Sequence, residues 1–419
     1  MASTSAIELA QEIIDECLTY GTWSNRTLDA LVERSLDETD EFVARAATRA
    51  LFSIVIERLA DLFEPALCEI YVRLFTRVIA RAIPDYNAED LLVRYRRISQ
   101  VHRFPGGDIA RVFVLSRVTL GADVAVTSVA LAAMKERFPE AEICLVGPAK
   151  NAELFADDRR ITPIPVAYSR SGLLRDRLLA VIELHSVVDE PGSLVIDPDS
   201  RLTQLGLIPV CDDSRYYFFE SRAFGGSSTL SLSELTSAWL SESFFLEGAQ
   251  PYVAPIVSPK VADVAVSWGV GENAEKRVSD EFEFGVLAYL LQSGQRVIID
   301  RGAGGEEAAR IDALARQLNS PLLQVYDGSY AGFASHIVQS DLYVGYDSVG
   351  QHVAAAAGIP LVSAFAGYAC ERMLSRWRPH APYAYVVAIN DADRSEALAL
   401  TCAAIAEAAG EDRSVNRRD

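Results

Sequence analysis

The sequence predicts an α/β protein made of two Rossmann-like halves with parallel sheets, preceded by an all-helical N-terminal region. Three observations predict it. Apolar residues recur at helical spacing through the first hundred positions. After Phe104-Pro105-Gly106-Gly107-Asp108 the pattern changes to short β-branched runs alternating with helical stretches. A proline-rich break at 248–260 interrupts that alternation, which then starts again.

The helical region covers 1–103. Segments 6–19, 27–36, 40–62, 65–83 and 88–98 carry the helical pattern. In the fourth, Leu67, Ile70, Leu74 and Val78 share one face, and Arg73, Arg77 and Arg81 lie on another. Asn25 or Thr27, Asp37 and Asn87 are N-cap candidates, and Pro84 stops a helix. The region holds no carboxylate–histidine cluster and no glycine-rich loop. Its expected role is packing or dimerisation, with grip on an acceptor or partner as the sharper alternative.

The first Rossmann-like half spans 106–250. Strands are expected at 111–115, 143–146, 194–196 and 216–219, with a further apolar stretch at 161–166. A loop with Gly121 and Asp123 leads into a helix ending near Arg137, and a second helix lies near 149–156. Pro251, Pro255 and Pro259 stiffen the break that follows. The second half spans 260–395. Strands are expected at 264–267, 296–300, 322–325, 342–344 and 361–364, with helices near 280–293, 305–318, 331–339 and 350–357. A helix and a polar tail close the chain over 396–419. Tandem halves of this kind hold a ligand at strand carboxyl ends, so a nucleotide-type ligand is expected there.

Composition narrows the function. The chain has 419 residues and a net charge of −19, which disfavours bulk nucleic-acid binding and purely electrostatic docking on anionic lipid. The six cysteines form no CxxC pair, so reduced thiols are expected and a metal site is not. The N-terminus lacks a basic signal region, and no apolar run reaches about 18 residues. The expectation is a soluble cytoplasmic protein, peripheral at the inner membrane surface if its acceptor is lipid-linked.

Three segments carry candidate chemistry. In 341–360 a strand leads into an Ala-rich helix closed by Gly358 and Pro360. Asp347 and Ser348 sit where strand meets helix, and Ser348 can cap it. Such a helix terminus binds phosphate through free N–H groups, and His352 lies on its first turn. The alternative is an ordinary capped helix with a buried histidine. In 267–277, Gly269, Gly271 and Ala274 match G-x-G-x-x-A, but Glu275-Lys276-Arg277 intervenes before helical periodicity begins. The segment reads instead as a flexible loop, with Gly271 and Asn273, that presents Lys276 to a diphosphate, or as a solvated basic pair. In 116–128, with Arg117, Thr119 and Gly121, Asp123 falls at a helix start. A carboxylate there serves as a general base or as a plain cap. Polar loops at 197–204, with Arg201, at 219–226, with Arg222, and at 301–307 are suggestive only.

At these residues the chain resembles glycosyltransferase family 9, the ADP-heptose:lipopolysaccharide heptosyltransferase group, over about 106–390. Three stretches carry the resemblance: RVFVLSRVTLGADVAVTSVALAAMKERFPEAEICLVG, VAVSWGVGENAEKRVSDEFEFGVLAYLLQSGQRVIID and YDSVGQHVAAAAGIPLVSAFAG. Two departures are visible. The family's Gly-Asp is Gly121-Ala122-Asp123 here, one residue longer, and the glycine after Asp-Ser is displaced from Val349 to Gly350. The resemblance implies a GT-B fold and inverting, metal-independent sugar transfer from a nucleotide-diphosphate donor, an ADP-linked one being the family's candidate, with no further cofactor. It implies Asp123 as base, Lys276 as phosphate ligand, and Asp347, Ser348, Gly350, Gln351 and His352 as the donor loop. Gly271 and Asn273 join the donor side. Arg117, Thr119, Gly121, Arg201 and Arg222 are acceptor-side candidates, the acceptor being a glycan, a lipid-linked molecule or a protein. A nucleotide-sugar epimerase or hydrolase, and a non-catalytic binding or assembly protein, are the alternatives.

Overall fold

A computed structural model of the chain describes residues 5–168, 172–271, 273–390 and 393–411. Its described residues form two compact units. One draws on Met1–Val118, Ala133–Asn151 and Arg160–Ala249, and the other on Thr119–Ala132, Ala152–Arg159 and Gln250–Asp419.

The first unit is built on a five-stranded parallel sheet of order β3-β2-β1-β4-β5. The strands are β1 (Arg111–Leu115), β2 (Glu142–Gly147), β3 (Ile161–Pro165), β4 (Ser193–Asp197) and β5 (Tyr216–Phe218). A parallel sheet must be covered on both faces, so its strands read as continuous apolar runs. The helices of the first hundred residues supply much of that cover. Leu74, Phe75, Val78 and Ile79 of helix Pro65–Ala82 share one hydrophobic core with Phe113, Leu115, Val146 and Val195. Opposite them, Phe104, Phe138, Tyr217 and Phe244 cluster, with ring centroids 4.8 Å apart for Tyr217 and Phe244.

Most expected elements form within a residue or two of their predicted bounds, and the differences have local causes. Ser24, not Asn25 or Thr27, caps the second helix, its hydroxyl accepting from the Thr27 N–H. Asp40 replaces Asp37 as the cap of the third, because Asp37 accepts from the backbone and hydroxyl of Thr39. That third helix contains a π-helical turn, Leu51–Ile56, which turns Leu51, Phe52, Val55 and Ile56 inward together. Two helices were not expected, Leu174–Val188 and Leu232–Phe244. The second does carry a sequence signal, the capping box of Ser231 and Glu234.

The second unit holds a six-stranded parallel sheet of order β11-β10-β9-β6-β7-β8. Its strands are β6 (Val264–Ser267), β7 (Val297–Asp300), β8 (Leu323–Tyr326), β9 (Leu342–Tyr346), β10 (Leu361–Ala366) and β11 (Ala384–Ile389). Helix Glu371–Trp377 and strand β11 extend the sheet beyond the expected elements. From β6 the chain moves to one side through β7 and β8, then returns to the other through β9. The topological switch point therefore lies between β6 and β9, where open α/β sheets bind ligands.

The shared core makes the helical region and the first sheet interdependent. Phe75 is fully buried, with ring centroids 5.6 Å from Phe52 and 5.9 Å from Tyr71. Phe75→Ala is expected to cost about 3–5 kcal/mol, read as a lowered midpoint in denaturant unfolding followed by circular dichroism.

Candidate functional site

The carboxyl ends of β6 and β9 bring together the residues expected on the donor side. The loop after β6 turns at Gly271, with φ of +62°. Asn273 then caps a short 3-10 turn, Ala274–Lys276, by accepting from the Glu275 N–H at 3.0 Å. That turn aims Lys276 across the switch point. Its Nζ meets Asp347 Oδ2 at 2.6 Å and donates to the Asp347 carbonyl at 3.3 Å. Two supports hold the turn in place. Gly367 lies so close that an added Cβ would fall 2.5 Å from the Glu275 carbonyl carbon. The Arg394 guanidinium donates to the carbonyls of Arg277 and Val278 at 3.3 and 3.2 Å.

Asp347 begins the approach to helix Val349–Ala356. The carboxylate is nearly buried, and its second oxygen accepts from Gln351 Nε2 at 2.5 Å. Gln351 is held in turn by Ser363, whose hydroxyl donates to Oε1 at 2.6 Å. Ser348 occupies the N-cap position, yet its side chain makes no capping bond. Its hydroxyl oxygen is buried against the hydroxyl of Tyr343, which lies beneath the same turn and interacts with both Ser348 and Ser267. Gly350 is explained by this tyrosine. A Cβ there would sit 2.0 Å from Tyr343 Oη.

His352 is buried one turn into the helix, its ring centroid 6.0 Å from that of Trp377. Burial pushes its pKa down to about 4, the Asp347 carboxylate opposing and the Lys276 ammonium adding to the shift. The imidazole is therefore neutral at physiological pH.

The segment bearing Asp123 packs against the same helix. A Cβ on Gly121 would lie 3.4 Å from both His352 Cδ2 and Val349 Cα, so two helix starts touch here. Thr119 is the N-cap residue, and Asp123 is fully buried in a π-helical turn, Asp123–Thr127. A π turn contains one residue more than an α turn, and such turns recur at functional sites. The extra residue Ala122 is thus absorbed within a continuous helix over 120–137. Thr127 Oγ1 donates to Asp123 Oδ1 at 2.6 Å and fixes the carboxylate.

The arginines expected on the acceptor side lie in the first unit, at the carboxyl ends of β1, β4 and β5. Arg222 is buried and bonded to Asp199, and Arg117 donates to Ser221 Oγ at 2.9 Å, with Asp199 3.8 Å away. Arg201 pairs with Glu57 at 3.4 Å. The backbone is strained here. Val118 has φ of +73°, a region that β-branched residues rarely enter, and Asp199 has φ of +69°. Asp199 and Tyr343, which organise these sites, lie within the segments 197–204 and 341–360, but nothing in the residue pattern marks them out from their neighbours. The sequence reading missed Asp300 at the end of β7, whose carboxyl is pushed up to about 6 by burial.

The histidine makes stability pH-dependent. Its pKa is lower folded than unfolded, so the folded state binds fewer protons between pH 6.5 and 4. Stability should fall as pH drops through that window, by at most about 3 kcal/mol from this group. His352→Gln should flatten the dependence in denaturant titrations.

No protein-family model matches the sequence. No curated protein matches it either. Solved structures do. A glycosyl transferase family 9 protein from Veillonella parvula superposes with a TM-score of 0.54 at 16% identity, covering 72% of this chain and 97% of that one. The E. coli heptosyltransferase WaaC, solved with ADP-2-deoxy-2-fluoro heptose, gives 0.54 at 17% identity, covering 72% and 99%. E. coli ADP-heptose lps heptosyltransferase II gives 0.52 at 15%, covering 72% and 97%. At these identities the likeness shows a shared fold, two Rossmann-like α/β halves of the GT-B type.

Proposed function

We propose that the chain is a glycosyltransferase that moves a sugar from a nucleotide-diphosphate donor to an acceptor hydroxyl. The observation that carries this reading is the convergence of Lys276, the Ser348 hydroxyl and the uncapped first turn of helix Val349–Ala356 at one switch point. A cation, a hydroxyl and helix N–H groups at one place suit a diphosphate. The fold shared with heptosyltransferases supports the reading. WaaC has been solved with ADP, which makes an adenine nucleotide the first donor class to test.

In this reading Asp123 is the general base. It takes the acceptor proton as the acceptor oxygen attacks the anomeric carbon from the face opposite the leaving group. The carbon–oxygen bond to the diphosphate breaks, its electron pair leaves with the nucleoside diphosphate, and the configuration inverts. Charge grows on the diphosphate in the transition state. Lys276 and the helix terminus meet it there, supplying positive charge that was positioned beforehand. Neutral His352 adds a hydrogen bond without changing the net charge. Asp347 holds Lys276 until the diphosphate arrives. Thr119 and Gly121, beside the donor helix, border the acceptor position.

Two measurements test this. ADP and related nucleoside diphosphates should raise the thermal midpoint, and Lys276→Gln should weaken the tightest of them by about tenfold in calorimetry. No affinity for any nucleoside diphosphate or nucleotide sugar would sink the proposal in favour of a non-catalytic role. Asp123→Asn should lower transfer at least about a hundredfold with donor affinity intact; unchanged transfer would remove the base assignment.

A further inference from the structure

A cavity of about 270 Å³ lies wholly within the first unit. Pro65, Cys68 and Glu69 of one helix and Tyr95 and Ser99 of the next form one side, and Glu220, Ala223 and Phe224 form the other. Pro65–Tyr95 belong to the helical region that precedes the Rossmann-like halves. The cavity is thus made where that region meets the loop after β5. It is smaller than the roughly 300–1,000 Å³ of drug-sized sites, so it suits a side chain or a small molecule rather than a nucleotide sugar.

Glu220 is among its lining residues and is only 8% exposed. Oε2 accepts from the Ala223 N–H at 2.6 Å. Among the described residues no cation forms an ion pair with it. The neighbouring Arg222 guanidinium is bonded to Asp199 instead, and at the rim Glu69 is bonded to Arg96. A buried carboxyl without an ion-pair partner is costly in its charged form. Burial, with Asp199 nearby, accordingly pushes the Glu220 carboxyl up to about 7. The remaining walls are largely apolar or aromatic. Tyr95 and Phe224 are fixed there by edge contacts to Phe218 and Phe219, at 5.7 and 5.5 Å between centroids. Aromatic walls around a carboxyl are the chemistry that recognises organic cations.

We propose that this cavity binds an organic cation, an alkylammonium or guanidinium group, with Glu220 as its counter-charge and Tyr95 and Phe224 as its walls. The cation would complete the ion pair that the fold leaves open. Its source is either a basic side chain of a polypeptide or a free amine. The inference does not rest on the glycosyltransferase reading.

The test is calorimetric titration of the intact protein with n-butylguanidinium chloride, N-acetyl-lysine N-methylamide and putrescine, with n-butanol as the uncharged control. Saturable one-site binding of the cations, and none of butanol, is expected. Glu220→Gln should weaken it by about tenfold and keep a thermal midpoint at or above that of the unsubstituted protein, since it removes a buried charge. Phe224→Ala should weaken it as well. Tighter binding of the lysine derivative assigns the site to a polypeptide side chain, and tighter binding of putrescine assigns it to a free amine. Failure of all three cations to saturate, or unchanged binding by Glu220→Gln, overturns the proposal.

Discussion

The contact between Lys276 and Asp347 organises the second unit. It spans the switch point and ties the loop after β6 to the start of helix Val349–Ala356. The lysine is 19% exposed and the carboxylate 4%, so the pair is largely removed from water. Such a pair contributes little net stability, because desolvation offsets the attraction. What it contributes is position. The ammonium is held where helix N–H groups already point, and Gln351 and Ser363 fix the carboxylate that holds it. The arrangement rests on two close approaches where a side chain has no room: the Glu275–Lys276 backbone against Gly367, and the Tyr343 ring against Gly350.

The first unit repeats the topology with a different outcome. Its switch point lies between β1 and β4, and Ser200 donates there to the Ser116 carbonyl. The charges at this point are spent on one another: Asp199 takes Arg222 and approaches Arg117. In the second unit Lys276 is also paired, but it stands beside a helix terminus that no side chain caps.

The helical region acts through packing. Its apolar faces form one core with the first sheet. The helices also bring Cys68 and Tyr95 against the loop that carries Glu220. An element without chemistry of its own thereby changes the environment of a carboxyl more than a hundred residues away in sequence.

The alternation of β-branched runs and helices, the two breaks, and the Asp-Ser and Lys276 segments were legible in the sequence because each rests on local physics: periodicity, capping and proline or glycine geometry. Helix Leu232–Phe244 was missed despite its capping box, because its apolar residues are not confined to one clean stripe. The extra residue Ala122 was legible as an insertion, but only the helix could show that a π turn absorbs it. Gly350 is legible as the displaced glycine of the donor loop, and only the packing shows that the Tyr343 side chain fills the space beside it. Ser348 was read as a cap, and its hydroxyl makes no capping bond. The sequence by itself determined where most strands and helices lie, and that basic and acidic groups stand at their ends. Only the tertiary structure decided which of those charges neutralise one another, because that depends on distances of a few ångströms between residues far apart in the chain.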